Sequence, residues 1–92
     1  MIVTIEYTAQ LKQAANCSSE EISLGQEATA HDAILQVAQQ HGGALEKMLI
    51  ANESKVSSSL LFFVDDSQVV DLESHLLSEG NHITIMSPIS GG

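Results

Sequence analysis

The sequence carries little positive charge. It contains three lysines and no arginine against twelve acidic residues, and its formal net charge is −9. Binding to a phosphate backbone depends on Lys and Arg, so this composition excludes a nucleic-acid-binding role. An acidic surface favours a basic partner instead, although acidic residues also serve solubility alone.

Cysteine and long apolar runs are also scarce. A single cysteine, Cys17, excludes a disulfide within the chain, and the opening residues 1–4 lack the basic and then apolar layout of a signal peptide. The longest apolar run, residues 60–64, is far shorter than the roughly 20 residues that span a bilayer. We therefore expect a cytoplasmic protein without a membrane segment.

The length and composition indicate one small globular domain. The 92 residues are 43% hydrophobic and include no tryptophan. A chain of this size builds one modest core but no deep cleft of its own. We expect a single domain over residues 1–92, with residues 87–92 as a flexible tail, and a function that depends on a partner protein.

Alternating apolar and polar residues predict several β-strands. The predicted strands cover residues 2–8, 21–24, 60–64, 69–72 and 83–86. Residues 14–20 are interpreted as a turn that joins the first two strands into a hairpin, and residues 52–59 as a polar, mobile loop. The pair Asp65-Asp66 and the segment Glu79-Gly80-Asn81 are interpreted as turns.

One amphipathic helix is predicted between Thr29 and the Gly42-Gly43 pair. Thr29 followed by Asp32 resembles a capping box, and the two glycines supply the stop. Ile34, Val37 and their neighbours form an apolar stripe at helical spacing. A second short helix is expected over residues 44–50.

The order of these elements, β-β-α-β-(β)-β, indicates an α+β roll in which a helix lies across a mixed sheet. We interpret it as a β-grasp fold. In such a fold the first and last strands are neighbours at the centre of the sheet.

The interior of the chain offers no obvious catalytic group. The four histidines lack the spacing of a metal site, so no metal site is predicted. Cys17 lies near Glu20 and Glu21, whose charge would raise the pKa of the thiol, whereas activation requires a lowered pKa.

The most informative segment is the end, Pro88-Ile89-Ser90-Gly91-Gly92. Glycine has no side chain, so a Gly-Gly end can enter a narrow tunnel and place its carboxylate in a partner's active site. A frayed terminus is the ordinary alternative. Once activated by a nucleotide phosphate, the carboxylate can be attacked by sulfur, which gives a thiocarboxylate, or by a lysine, which gives an isopeptide bond.

At these residues the chain resembles the ubiquitin-like sulfur carriers, and most closely the small subunit of molybdopterin synthase. The Glu79-Gly80-Asn81 turn, the strand after it, Pro88 and the final Gly-Gly are similar to the ending of that family. Residues 9–12 resemble the segment that follows the family's first strand, with Lys12 at a usually basic position.

The resemblance implies that the carboxylate of Gly92 is adenylated by a ubiquitin-activating-enzyme-like adenylyltransferase, which uses ATP and magnesium, and becomes a thiocarboxylate. The large subunit of molybdopterin synthase would then transfer this sulfur to a pterin precursor. The chain itself would bind no cofactor and would not be an enzyme. The residues implied to contact these partners are Thr8, Lys12, Met86, Pro88, Ile89, Ser90 and Gly91.

Three positions depart from the family pattern. Met86 replaces a usual aromatic residue, Ser87 replaces a proline, and Thr8 occupies a position that is often apolar. Three alternatives therefore stay open: a sulfur carrier of another pathway such as thiamine synthesis, a modifier that is conjugated to lysines, and a β-grasp adaptor that binds without covalent chemistry.

Overall fold

The computed structural model describes residues 1–53 and 55–87. The strands are β1 (Ile2–Tyr7), β2 (Ser19–Ser23), β3 (Ile50–Asn52), β4 (Lys55–Val56), β5 (Leu61–Val64), β6 (Ser67–Gln68) and β7 (His82–Met86). The helices are α1 (Ala9–Ala15), α2 (Ala30–His41) and α3 (Gly43–Leu49), and a 3-10 helix covers Leu72–Ser74.

The main sheet has its first and last strands side by side at its centre. Within the described residues its order is β2-β1-β7-β5-β6. β1 and β7 run parallel, whereas β1 with β2, β5 with β7 and β5 with β6 are antiparallel. The predicted β-grasp arrangement, a mixed sheet covered on one face by helices, is confirmed.

The core lies between one face of this sheet and the helices. Alternate residues of the strands point inward, as the alternating sequence pattern predicts. Fully or almost fully buried side chains from the sheet and the helices include Val3, Ile5, Tyr7, Leu11, Ile34, Val37, Leu45, Leu49, Ile83 and Ile85. Burying a side chain of this size stabilises the fold by about 1.5–3 kcal/mol.

The predicted capping box at the start of α2 is confirmed. The Asp32 backbone N–H donates to the Thr29 hydroxyl oxygen at 3.2 Å, and the Thr29 backbone N–H donates to the Asp32 carboxylate at 2.9 Å. These bonds satisfy donors that have no partner within the helix. α2 ends at Gly42, and α3 over Gly43–Leu49 matches the second predicted helix within one residue at each end.

The predicted pairing of the first two strands is confirmed, but residues 14–20 are not a simple turn, because a helix joins β1 to β2. α1 occupies Ala9–Ala15 and buries Leu11 and Ala15. Asn16 closes the helix in the left-handed conformation, and β2 then begins at Ser19. Asparagine tolerates this conformation better than most residues, which explains why a turn-like pattern follows a helix here.

The strand predicted over residues 69–72 is also wrong. After the Asp65-Asp66 turn the strand is limited to Ser67–Gln68, which pairs with β5, and one further bond joins the Val69 backbone N–H to the Phe62 carbonyl at 2.9 Å. Leu72–Ser74 forms the 3-10 helix. Val69 and Leu72 are nevertheless buried and Val70 is exposed. Val69 and Leu72 therefore contribute to the core although neither belongs to a strand.

Part of the region interpreted as a loop over residues 52–59 is paired. β3 and β4 form an antiparallel pair with an irregularity between Ile50 and Asn52. The Ser57 backbone N–H donates to the Leu49 carbonyl at 2.7 Å, which ties the following serines to the end of α3. The polar sequence concealed this short sheet because only Val56 and Ile50 pack against the core.

The predicted turn before the last strand is confirmed and is bonded to β1. Gly80 adopts φ +84°, a conformation that side-chain-bearing residues rarely take. The Gly80 backbone N–H donates to the Ile2 carbonyl at 2.8 Å, and the Glu79 carboxylate accepts from the Ile2 backbone N–H at 2.9 Å. These bonds fix where β7 begins.

Candidate functional site

The candidate site is the end of β7, from which the chain continues toward Gly92. We call Ile85, Met86 and Ser87 the tail root. Ile85 is fully buried, Met86 is 39% exposed, and Ser87 follows the strand without regular structure. The sheet therefore holds the chain through Met86, which is paired with Leu61 of β5, and Ser87 is the first residue beyond the strand.

Two of the predicted partner-binding residues lie beside the tail root. The Thr8 hydroxyl donates to the Ile85 carbonyl at 2.9 Å. Lys12 is exposed on α1, and its backbone N–H donates to the Thr8 carbonyl at 3.4 Å, one helical turn away. The structure therefore places Thr8 against Ile85, where the tail leaves the sheet, and Lys12 one helical turn further along α1.

The remaining predicted site residues lie outside the described part of the chain. These residues are Pro88, Ile89, Ser90, Gly91 and Gly92. Their roles stay predictions.

The sheet face opposite the helices forms a surface that leads to the tail root. We call it the open face; its members from the central strands are Thr4, Glu6, Leu61, Phe63, His82, Thr84 and Met86. Leu61 lies opposite Met86 in the register, and Phe63 lies opposite Thr84. An apolar strip of half-buried and exposed side chains therefore lies next to the tail root.

An ion-pairing contact crosses the two central strands on this open face. His82 Nε2 lies 2.6 Å from Glu6 Oε1, and both side chains are a little under half exposed. The His82 backbone N–H also donates to the Asp65 carboxylate at 3.1 Å. Exposed pairs of this kind contribute little to stability, so the pair's main effect is to place a polar group between the apolar strip and β2.

A second carboxylate, Glu20, joins three elements on the core side of the sheet. Glu20 Oε2 accepts from the Tyr7 hydroxyl at 2.5 Å and lies 2.6 Å from His41 Nε2. Burial by itself would raise the pKa of the Glu20 carboxyl, but the hydrogen bonds from Tyr7 and His41 and the charge of His41 outweigh it and lower that pKa. Burial, with the Glu20 hydrogen bond and charge, raises the pKa of Tyr7.

Sequence reasoning missed this cluster. The alternating pattern places Tyr7 on the first strand, and the spacing of His41 from the other histidines indicates no site. The ring planes of Tyr7 and His41 also meet edge to face, with centroids 6.0 Å apart. The one available signal is that Tyr7 is an inward residue of β1 whose hydroxyl requires a polar partner.

Cys17 is partly buried after the end of α1. Burial, and after it the charge of Glu20, raises the pKa of the Cys17 thiol. The direction agrees with the sequence-based expectation, although Glu20 rather than Glu21 supplies the charge. A raised pKa lowers the fraction of nucleophilic thiolate at neutral pH.

Within residues 1–53 and 55–87, no three His, Cys, Asp or Glu side chains are grouped so that they could hold a metal ion. In the same part of the chain, no helix is both long enough and apolar enough to cross a bilayer.

Several solved structures share this fold over essentially the whole chain. Small archaeal modifier protein SAMP1 from Haloferax volcanii superposes with a TM-score of 0.86 at 18% identity, covering 100% of both chains. A Pyrococcus furiosus protein assigned as molybdopterin converting factor subunit 1 gives 0.73 at 22% identity, covering 97% of this chain and 99% of that one. Urm1 from Trypanosoma brucei gives 0.78 at 12% identity, covering 99% and 95%.

At these identities the structural likeness establishes the fold alone. No curated protein sequence is similar enough to this chain to count as a match. The sequence profile of the ThiS family, however, matches residues 5–92 and so covers nearly the entire chain. The chain therefore belongs to the ThiS family and is a ubiquitin-like sulfur carrier protein.

Proposed function

We propose that this protein carries sulfur as a thiocarboxylate on Gly92 and delivers it to the pterin precursor of molybdopterin. The observation that carries the proposal is the position of the tail root. β7 is a central strand, anchored on both sides, and it ends within a few residues of the Gly-Gly sequence. A rigid body that holds a short tail is suited to presenting a carboxylate inside a partner.

The chemistry begins at the Gly92 carboxylate. A carboxylate oxygen attacks the α-phosphorus of ATP, pyrophosphate leaves, and an acyl adenylate forms. Hydrosulfide, or a sulfur donor at the same oxidation level, then attacks the carbonyl carbon, and AMP leaves. The thiocarboxylate that results is an anionic nucleophile, held at high effective concentration by the short tether.

The proposed partners supply the steps that this chain does not. A ubiquitin-activating-enzyme-like adenylyltransferase provides ATP and magnesium, and the large subunit of molybdopterin synthase provides the site at which sulfur is transferred. The open face and tail root, with Met86, Thr8 and Lys12, form the proposed contact surface. A net charge of −9 supports a basic surface on each partner, because charge complementarity speeds and directs encounter.

The first experiment is ATP–pyrophosphate exchange with the cognate adenylyltransferase, using the full chain and a variant that lacks Gly92. Exchange should disappear in the deletion variant, whereas its thermal unfolding should match that of the full chain, since no core residue lies beyond Ile85 among those described. Undiminished exchange without Gly92 contradicts the proposed reacting group.

The second experiment tests the pathway. The thiocarboxylated chain is mixed with the molybdopterin synthase large subunit and the pterin precursor, and the transfer of sulfur to the precursor is measured. Transfer supports the molybdopterin assignment. A chain that accepts sulfur but transfers none to the precursor belongs to another sulfur pathway, and adducts to lysine identify a protein modifier.

A further inference from the structure

Thr8 occupies a junction at which its hydroxyl would ordinarily cap a helix. It follows β1 and precedes α1, with the extended backbone (φ −127°, ψ 153°) of a helix N-cap. The Thr8 carbonyl accepts from the Leu11 and Lys12 backbone N–H groups at 3.0 and 3.4 Å. The Thr8 side chain, however, makes no capping hydrogen bond to α1.

The hydroxyl is directed to β7 instead. It donates to the Ile85 carbonyl at 2.9 Å, across 77 positions of sequence. Tyr7 and Ile85 are the last paired residues of β1 and β7. The side chain of Thr8 therefore adds one bond to β7 just beyond the point where its backbone pairing with β1 ends, while on the other side of β7 Met86 is still paired with Leu61 of β5.

The local geometry of α1 is less favourable as a result. A threonine at an N-cap normally stabilises its helix through the hydroxyl, and that contribution is absent here. The next residue, Ala9, has φ +50°, a left-handed conformation that is unfavourable for a residue with a side chain. An uncapped helix start beside a strained residue indicates that this junction is arranged for contact with β7 rather than for the stability of α1.

We infer that Thr8 is a positioning residue for the tail: its bond to the Ile85 carbonyl sets the direction in which the chain leaves the sheet. The inference rests on the proposed function and deepens it. The seven residues from Met86 to Gly92 reach at most about 25 Å when extended. A change of direction at the tail root therefore displaces the carboxylate by several ångströms in a partner's site.

This role differs from the partner contact that the sequence implies for Thr8. A contact residue contributes to docking, so its loss raises KM. A positioning residue leaves docking of the open face intact but lowers the fraction of docked molecules whose carboxylate reaches ATP, so its loss lowers kcat.

The test compares four variants of the full chain. Thr8→Val removes the hydroxyl and keeps the shape, and Thr8→Ser keeps the hydroxyl and removes the methyl group. Thr4→Val is the control, because it makes the same change within β1, at a hydroxyl with no side-chain hydrogen bond among the described residues. Thr8→Ala repeats the test if valine disturbs the turn.

The first readout does not depend on catalysis. Backbone ¹⁵N relaxation should show larger motion at Met86 and Ser87 in Thr8→Val than in the parent chain, with Ile83 unchanged. Thr8→Ser and Thr4→Val should match the parent chain. Equal relaxation at Met86 and Ser87 in Thr8→Val and the parent chain overturns the inference.

The second readout is the kinetics of ATP–pyrophosphate exchange. Thr8→Val should lower kcat about fivefold, the factor that corresponds to the loss of one ordinary hydrogen bond, and leave KM within about twofold. Thr8→Ser should restore kcat. A rise in KM alone would make Thr8 a contact residue, and failure of Thr8→Ser to restore kcat would assign the effect to the methyl group; either overturns the inference.

The two proposals fail in distinguishable ways. If the parent chain supports no exchange with an active adenylyltransferase, the proposed function fails, and the relaxation measurement still decides whether Thr8 fixes the tail root. If the parent chain is activated and Thr8→Val behaves identically in both readouts, the positioning role alone fails.

Discussion

The two faces of the main sheet are built from the same strands but have different properties. On the core face of β1, Val3 and Ile5 are fully buried, whereas Thr4 and Glu6, which alternate with them, lie on the open face. The core face packs against the helices, including α1, which contributes Leu11 and Ala15 to the core. The open face carries threonines, an exposed methionine and a Glu–His pair, whose side chains take no part in the core.

The largest effect on stability is expected on the core face, at Ile5. Ile5→Ala removes a fully buried side chain from a central strand, and we expect it to lower the free energy of unfolding by about 2–5 kcal/mol, because a cavity adds to the lost burial. Denaturant unfolding measures the change. Thr4→Ala is the matched control on the same strand and should cost less than about 1 kcal/mol.

Equal destabilisation by Ile5→Ala and Thr4→Ala would contradict the division between the two faces. Such a result would mean that the open face is also buried in solution. Packing of the helices on the core face would then not account for the free energy of unfolding.

A smaller effect is expected at Met86, and it should appear in binding rather than in folding. Met86→Ala removes apolar surface next to the tail root, and we expect about fivefold weaker docking to the adenylyltransferase, which is about 1 kcal/mol. Isothermal titration without ATP measures the affinity. The free energy of unfolding should change little, since Met86 is 39% exposed.

Ile2→Ala is the matched control for Met86. Ile2 has nearly the same exposure, 40%, but lies at the opposite end of the central strands. Unchanged docking for Ile2→Ala with weaker docking for Met86→Ala would localise the partner surface to the tail root. Equal losses at both positions would contradict that placement.

The smallest effect concerns the bonds of Glu20 to Tyr7 and His41. The pKa of Glu20 is lowered in the folded state, so its ionised form stabilises the fold above the unfolded-state pKa of about 4.3, and this contribution is lost as the pH falls through the folded-state pKa. Glu20→Gln keeps a hydrogen-bond acceptor but no charge. We expect it to lower the free energy of unfolding at pH 7 by about 1 kcal/mol or less.

Measuring the free energy of unfolding at acidic and at alkaline pH tests the roles of Glu20 and Tyr7. The difference between the parent chain and Glu20→Gln should shrink below about pH 4. Because the folded state raises the pKa of Tyr7, stability should fall above about pH 10, where the unfolded chain ionises, and Tyr7→Phe should reduce that fall. A difference that is independent of pH would contradict the assigned role of the Glu20 charge.

The sequence predicted the parts of the fold that depend on local periodicity. Alternation placed β1 and β7, and the Thr29–Asp32 box placed the start of α2. α1 was missed because it is seven residues long and presents only Leu11 and Ala15 to the core, too few for a helical period. The error at residues 69–72 has a related cause, since buried apolar residues such as Val69 and Leu72 also pack against a core outside regular strands.

The candidate site was predicted in outline but not in its contacts. The Gly-Gly ending pointed to the tail, and the family resemblance pointed to Thr8, Lys12 and Met86. The bond from Thr8 to Ile85 and the cluster around Glu20 join residues that are distant in sequence. Period and propensity describe neighbours along the chain, so they cannot identify which distant polar atoms meet.

The most direct test of the central claim is the intact mass of the full chain after incubation with ATP, magnesium, the cognate adenylyltransferase and a sulfur source. The account predicts a mass gain equal to the exchange of one oxygen for one sulfur, located at Gly92 by fragmentation and absent from the variant that lacks Gly92. An unchanged mass with a demonstrably active enzyme would contradict the claim that this chain carries sulfur at its end.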